Sequence, residues 1–314
     1  MDRLIFFYNY HIESPSPLAQ VQLIMSEFKK ICLVHKRSLY QKYILEEERQ
    51  DLQTLYDDKH LSTQSLKKAH DEHSKSVDLI KKTLEKHKSD FSIEHRHEVS
   101  DFTGYDLVIT VGGDGTFLRS SHYIDEQPII GINSSRNHSV GALCSIHAKD
   151  FPEKFLQILA GKYHYKLLPR MKILINDEPV RDEAINDVLF TNHNPAATSR
   201  YFIRLGRKME EHKSSGAWIS TQTGSTAAIQ AAGGMRMAPH FDKHLQYLVR
   251  EPYQGLYNPY QFSRGFIEPG KSLKIVTKML HSQIFIDGPT TFYNLNYGDE
   301  VAFTLSKRRL KVIV

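Results

Sequence analysis

Residues 107–118 read Leu-Val-Ile-Thr-Val-Gly-Gly-Asp-Gly-Thr-Phe-Leu, and no other stretch of the chain constrains its fold as strongly. An apolar, β-branched run of this kind suits a strand buried on both faces, as in a parallel sheet. It stops at Gly112-Gly113-Asp114-Gly115-Thr116, and helix-compatible residues follow at once. A strand, a tight turn and a helix start in succession aim backbone N–H groups at an anion. The three glycines permit positive φ and let a phosphate approach the backbone closely. Thr116 is placed to cap a helix that begins near Phe117. Asp114 is the exceptional member, because a carboxylate among phosphates is repelled unless proton chemistry or a metal needs it there. No Gly-Lys-Ser/Thr follows the turn, and its glycine spacing is not that of a dinucleotide fingerprint.

Two further segments narrow the chemistry. Residues 184–190, Ala-Ile-Asn-Asp-Val-Leu-Phe, put Asn186 and Asp187 inside an apolar strand. A buried amide and carboxylate need partners, and a ribose diol with an adenine edge supplies them. A polar pair making local turns at a strand end fits the same residues. Residues 220–234 run Ser-Thr-Gln-Thr-Gly-Ser-Thr-Ala-Ala-Ile-Gln-Ala-Ala-Gly-Gly. Hydroxyl donors precede small helix formers there, and Gly233-Gly234 can end the helix.

Together the three segments resemble the NAD kinase family, whose usual patterns are Gly-Gly-Asp-Gly-Thr, then Asn-Glu, then Thr-Pro-Thr-Gly-Ser-Thr-Ala. Here they stand as 112–116, Asn186-Asp187 and Thr221-Gln222-Thr223-Gly224-Ser225-Thr226-Ala227, and the resemblance covers roughly residues 100–300. The first pattern also occurs, in related forms, in lipid kinases and phosphofructokinases. By itself it therefore indicates phosphoryl transfer onto a hydroxyl without choosing the acceptor. Ser199-Arg200-Tyr201, Ser214-Ser215-Gly216, Val249-Arg250-Glu251-Pro252 and Ile286-Asp287-Gly288 are most similar to the branch that holds plant NADH kinases and animal mitochondrial NAD kinases.

The resemblance implies ATP- and Mg²⁺-dependent phosphorylation of the adenosine ribose 2′-hydroxyl of NAD⁺ or NADH, giving NADP(H). Asp114 would orient or deprotonate that hydroxyl. Gly112, Gly113, Gly115 and Thr116 would hold the phosphates of ATP. Asn186 and Asp187 would bind the adenosine part of the dinucleotide, and Thr223, Ser225, Thr226 and Ala227 would line its pocket. Phosphoryl transfer depends on positioning and charge neutralisation, which agrees with these roles. The sequence assigns no metal ligand. Asp187 stands where most of the family has Glu, which shortens the reach and keeps the charge. Ser215 stands where most bacterial members have an Asp near the nicotinamide end, so a carboxylate that would favour NAD⁺ is missing, and NADH is expected to serve at least comparably. The alternatives are a lipid kinase of the same fold and a non-catalytic NADP(H)-binding sensor. The second and third segments argue against the first, and the intact Asp114 argues against the second.

The expected architecture is an α/β phosphate-binding domain with a parallel sheet over residues 1–145, then a β-rich, sandwich-like dinucleotide-binding domain over 146–314. Leu4–Tyr8 reads as a first strand, 16–36 as a helix, Pro128–Asn133 as the parallel strand after the turn, and Ser134–Gly141 as a linker. Residues 41–90 read as a polar, mostly exposed helical insertion, dispensable for chemistry. Residues 151–160 suit a short helix. Strand-like segments follow at 165–168, 171–175, 184–191, 200–205, 216–220, 273–277, 283–287 and 300–305. In the resembling family the C-terminal segment packs back on the first domain, and the enzyme is a homo-oligomer, dimer or tetramer, with its sites near subunit contacts.

Composition is consistent with this picture. The 314 residues carry a net charge of +5, which anionic substrates account for, and no nucleic-acid-reading motif is present. Lys307-Arg308-Arg309, the one dense basic cluster, reads as a solvated strand edge or tail. No apolar run approaches the ~20 residues a membrane span needs, so no membrane partner is expected. No signal peptide is legible. Cys32 and Cys144, the only cysteines, have apolar flanks and read as buried free thiols, which fits a reducing, cytoplasmic setting. His70, His73, His95 and His97 have no neighbouring Cys or closely spaced carboxylate to complete a metal site.

Overall fold

The computed structural model describes residues 28–135, 141–253 and 259–314. Four strands, β1 (Lys30–His35), β2 (Asp90–His95), β3 (Leu107–Gly112) and β4 (Ile129–Asn133), run parallel in the order β2-β1-β3-β4. A two-residue strand, β5 (Ile146–His147), joins β4. Every residue of β3 and β4 is buried, as strands covered on both faces require. Helices α1 (Gln50–Asp57) and α2 (Leu66–Lys86) lie between β1 and β2 in the chain, α3 (Asp114–Ser121) follows β3, and α4 (Phe151–Leu159) follows β5. Val77, Ile80 and Leu84 of α2 and Phe151, Phe155 and Ile158 of α4 pack on Ile31, Leu33, Ile109 and Ile132. Phe117 and Leu118 of α3 fill the other face with Val108 and Ile129.

The remainder is largely antiparallel. Its strands are β6 (Tyr165–Ile175), β7 (Glu178–Pro179), β8 (Asp187–Asn192), β9 (Ser199–Leu205), β10 (Lys208–Ser214), β11 (Ala217–Ser220), β12 (Leu245–Val249), β13 (Arg264–Ile267), β14 (Ser272–Thr277), β15 (Ser282–Ile286), β16 (Thr291–Leu295) and β17 (Glu300–Ile313). One antiparallel sheet has the order β13-β12-β11-β8-β15-β16. The other continues from the parallel strands, in the order β10-β9-β14-β17-β4-β3-β1-β2, with β6 also on β17. The two sheets share one core, in which Phe190, Ile219 and Ile284 from the first meet Ile173, Tyr201, Ile275 and Phe303 from the second. The long β17 links the parts: Val301–Leu305 pair with β6 and β14, the register shifts after Leu305, and Val312 runs parallel to Ile129 of β4.

Four sequence expectations change. Residues 30–35, expected within a helix, form β1. Ile31-Cys32-Leu33-Val34 is a continuous apolar run, which periodicity alone cannot assign to helix or strand. The rest of that helix to residue 27, the strand at Leu4–Tyr8, and 136–140 of the linker lie outside the described residues. The polar stretch after residue 41 is helical and mostly exposed as expected, but it is no mere insertion, because α2 covers the parallel sheet with buried Val77, Ile80 and Leu84. Lys307–Arg309, expected as a solvated strand edge or tail, lie inside a strand: Lys307 and Arg308 are exposed, at the register shift in β17, where Arg308 pairs with Asp125 at 2.7 Å and Arg309 with Asp242 at 3.2 Å. Strand β10, Lys-Met-Glu-Glu-His-Lys-Ser, carried no legible strand pattern, since it is a charged edge strand with little to bury.

Candidate active site

The chain leaves β1 for β2 on one side and returns to β3 on the other, so the strand order reverses between β1 and β3. Open α/β sheets form their ligand crevice at such a switch, beyond the carboxyl ends of the strands. The glycine turn lies there. Gly112 ends β3, Gly113 is the N-cap of α3 with φ −118° and ψ −171°, and the helix starts at Asp114. The cap is therefore not Thr116, which lies inside α3 and is buried. None of Gly112, Gly113 and Gly115 uses positive φ. Gly112 is needed for space instead, because a Cβ there would come within 2.5 Å of Thr116 Oγ1.

The early helix start puts the Asp114 carboxylate in the first turn, where the helix terminus favours negative charge. Its Oδ2 accepts the Ala142 N–H at 3.0 Å and its Oδ1 the Leu143 N–H at 2.8 Å. These bonds orient the carboxylate and leave each oxygen further acceptor capacity. The neighbouring Cys144 thiol is pushed up in pKa by burial and then by the charge of Asp114. Both cysteines are free and buried.

Asn186 stands just before β8 and Asp187 is its first residue, so the pair lies at the entry to the strand rather than in its middle. Asp187 is buried, and its pKa is pushed up to about 7, chiefly by burial, then by the charge of Asp287, with the Ala228 N–H opposing. Asp287, just after β15, is the organiser of this corner. Its carboxylate accepts the backbone N–H groups of Ile185 (2.8 Å), Asn186 (2.7 Å) and Asp187 (3.1 Å), and lies 3.0 Å from His122 Nε2. Its φ is +51°, a conformation Asp tolerates better than most residues. The sequence marked Asp287 only as part of a family-like pattern. The signal available was a lone carboxylate closing an apolar strand just before a glycine.

The third segment is bolted to the second. Thr221 Oγ1 donates to Ile185 O, the Thr221 N–H to Asn186 O at 2.9 Å, and Ser220 Oγ to Asn186 O at 3.2 Å. Gly224 sits so close that a Cβ would meet Asn186 O at 2.1 Å. Residues Thr223–Thr226 form a 3₁₀ turn, the following helix α5 (Ala228–Ala231) is a single turn, and Gly233 at φ +97° lies just beyond it. Ser225 spends its hydroxyl internally, donating to Gln222 O (2.7 Å) and accepting from Met237 N–H (2.9 Å). Thr223 Oγ1 and Thr116 Oγ1, by contrast, are buried without a hydrogen-bond partner among the described residues. Buried hydroxyls of that kind call for a ligand or water.

A cavity of about 580 Å³ is lined by Thr223 and Thr226, by Lys166 and Arg236, and by Ala142 and Leu143, the two residues that hold Asp114. The third segment thus lines an opening whose wall at Ala142 and Leu143 is tied to the first segment through Asp114, with two cations that suit an anionic ligand. Ser215 is not brought into this cluster. It precedes β11, at the end of that strand opposite Ser220. The described residues contain no group of three or more His, Cys, Asp or Glu arranged to hold a metal ion.

Comparison with known proteins gives the chain's relatives. Residues 31–163 match the ATP-NAD kinase N-terminal domain family. A probable NADH kinase of Oryza sativa subsp. japonica is 29% identical over 265 residues, covering 77% of this chain and 81% of the relative. An NAD kinase of Methanoregula boonei is 31% identical over 209 residues, covering 64% and 71%. The solved structure of an NAD kinase from Archaeoglobus fulgidus in complex with ATP superimposes with a TM-score of 0.63 at 16% identity, covering 90% of this chain and 92% of that one. At that identity the likeness shows the fold alone.

Proposed function

The chain belongs to the NAD kinase family, and from that premise we propose how its own residues carry out ATP-dependent phosphorylation of NAD(H). The observation that carries the reading is the lone carboxylate of Asp114 in the first turn of α3, oriented by the backbone amides of two residues, Ala142 and Leu143, that line a cavity with Lys166 and Arg236. Asp114 aims the ribose 2′-hydroxyl and takes its proton as the phosphoryl group arrives. Gly112, Gly113, Gly115 and Thr116 hold the donor phosphates. Asn186 and Asp187 take the adenosine, and Thr223, Thr226 and Ala227 line the dinucleotide pocket, with Ser225 acting from behind as a brace.

A single carboxylate in a phosphate turn fits Mg²⁺, which binds through one or two carboxylates and substrate phosphates rather than an all-protein cage. Asp114 is the residue that would face the ion, and the ion would supply neutralisation of phosphate charge. No helix among the described residues is long and apolar enough to cross a membrane. A cytoplasmic homo-oligomer is the setting we propose. The direct test is incubation with ATP, Mg²⁺ and either NAD⁺ or NADH, with NADP(H) detected by enzymatic cycling. Absence of product with both acceptors rules the reading out.

Asp187 gives the site a pH dependence. As an anion its carboxylate can accept from both ribose hydroxyls, and with a pKa of about 7 it loses that state as the medium turns mildly acid. KM for the dinucleotide is therefore expected to rise as pH falls from 8 to 6, and Asp187→Asn is expected to flatten the profile. Stability moves the other way. The folded-state pKa lies above the ordinary Asp value of about 3.9, so the native state binds more protons between pH ~4 and ~7, and stability falls as pH rises through that window. Asp187→Asn should then melt above the wild type at pH 8, with the gap narrowing at pH 5. Equal pH dependence in the two proteins would remove Asp187 from the site.

With the adenosine at Asn186–Asp187, the dinucleotide runs along β11 toward Ser215, or meets the Ser215 of a neighbouring subunit. In either geometry a carboxylate at 215 would favour the cationic nicotinamide. Ser215→Asp is expected to shift the ratio of kcat/KM values toward NAD⁺ by about threefold to tenfold at low salt. A ratio that stays put shows that residue 215 does not face the nicotinamide.

A further inference from the structure

Phosphates of a nucleotide need cations as well as a turn, and the Gly112–Thr116 segment contains none. Two basic side chains from outside the motifs flank it, Arg96 and Arg119, and a third, Lys36, lies beside Arg96. Arg96 follows β2, and its backbone N–H donates to His35 O at the end of β1 (2.9 Å). Its Nη1 lies 3.7 Å from where a Cβ on Gly115 would be, against the first turn of α3. Lys36 continues β1 at the same edge of the sheet and is half-buried. Arg119 stands one turn along α3 from Gly115 and donates through Nη1 to Thr291 Oγ1 at 2.8 Å.

No carboxylate pairs with Arg96, Lys36 or Arg119 among the described residues, in contrast to Arg37, which is paired with Glu46 and Glu98. Arg96 instead spends its Nε on His97 at 3.1 Å. Their charges oppose one another. Arg96 is held below its ordinary pKa by burial and then by Arg119, Lys36 by burial and then by Arg96, and His97 by burial and then by Arg96 and Arg119. Two polar atoms in the same place, Thr116 Oγ1 and Arg119 Nε, are buried without a partner, and Thr116 is only 1% exposed. The fold thus concentrates uncompensated positive charge at a helix start whose own hydroxyl is unsatisfied. That arrangement costs stability in the free protein, and a polyanion would offset it.

We propose that Arg96, supported by Lys36 and Arg119, grips the terminal phosphates of the triphosphate donor on the β1–β2 side of the glycine turn. The cavity with Lys166 and Arg236 then lies on the other side, for the dinucleotide. This inference rests on the reading of Gly112–Thr116 as the donor-phosphate turn. Arginine's planar, forked donors suit two phosphate oxygens at once, and its backbone bond to His35 holds it at the carboxyl end of β1, beside the switch point.

The test is steady-state kinetics of Arg96→Gln, Arg96→Lys and Arg119→Gln, with ATP and NADH varied separately. Melting temperatures are taken without ligand and with inorganic tripolyphosphate. Arg96→Gln is expected to raise KM for ATP about tenfold or more and to leave KM for NADH unchanged, since a charge-assisted phosphate contact is lost. Arg96→Lys should recover much of that loss. Arg119→Gln should do less, because one of its donors already serves Thr291. Without ligand, Arg96→Gln should melt no lower than the wild type, since a repulsion is removed, and tripolyphosphate should raise its melting temperature less than the wild type's. An unchanged KM for ATP, a rise confined to NADH, or a lower unliganded melting temperature with a lower kcat overturns the proposal. A wild type that makes no NADP(H) from ATP overturns the reading beneath it. An active wild type with an indifferent Arg96→Gln overturns the proposal alone.

Discussion

Asp114→Asn is expected to lower kcat at least ~10²-fold, the lower range for loss of a positioned base. The amide keeps the size of the side chain and removes its charge and half of its acceptor capacity. Asp114 does two jobs, because its oxygens also hold the Ala142 and Leu143 N–H groups. In the Asn variant one of those amides faces an NH₂ group, which costs about 1–3 kcal/mol and loosens the 142–143 wall of the cavity. The two jobs separate by measurement. Loss of the base lowers kcat with dinucleotide binding retained, whereas loosening of the wall raises the dinucleotide Kd. Titration of NADH by its fluorescence, beside the cycling assay, reads both. Near-normal turnover in the variant would remove Asp114 from the mechanism.

Gly224→Ala is the second large effect, and it works through the backbone. The added Cβ would come within 2.1 Å of Asn186 O, 2.3 Å of its C and 2.6 Å of its Cα. No side-chain rotation relieves a clash with main chain. The 3₁₀ turn at Thr223–Thr226 must move off the Asn186–Asp187 corner, straining the Thr221 and Ser220 bonds to Ile185 and Asn186. Overpacking of this kind costs about 1–3 kcal/mol or more, and misplacing a substrate-positioning group by ~1 Å can cost ~10²-fold in rate. A soluble variant with a lowered melting temperature and a greatly raised dinucleotide KM is the expected result. Wild-type KM for NAD(H) would show that the two segments do not form one adenosine site. Gly233→Ala is the control: its Cβ meets nothing within 4 Å, so any cost comes from its φ of +97° alone.

What was legible in the sequence followed from local rules. A fully apolar strand before a glycine cluster determined a central parallel strand and a turn, and β3 with α3 are that unit. The β-rich second half was legible because alternation survives in strands such as β14, which buries every second residue. The motif order alone pointed to the family. Local rules also misled. Hydroxyl preference suggested Thr116 as a cap, yet Gly113 takes that place, and the helix gains a turn that puts Asp114 at its start. Helical periodicity ran through 16–36 because Phe28 and Ile31 fit it, while the burial of Ile31–Val34 in the sheet decided for a strand. The polarity of 41–90 described the outer face of α2 and hid the inner stripe that covers the sheet.

Tertiary structure alone decided which distant residues share a site. Asp287 lies 100 residues or more from the three amides it anchors, and nothing local to either segment encodes that pairing. The raised pKa of Asp187 exists because burial and Asp287 act on it together, and sequence neighbours contribute neither. Arg96 reaches the glycine turn because β1 sits between β2 and β3, an order set by sheet assembly. The sequence by itself thus determined the chemical groups and the local turn that presents one of them. The long-range register of two sheets determined their distances, charges and partners, because hydrogen bonding and electrostatics act through space rather than along the chain.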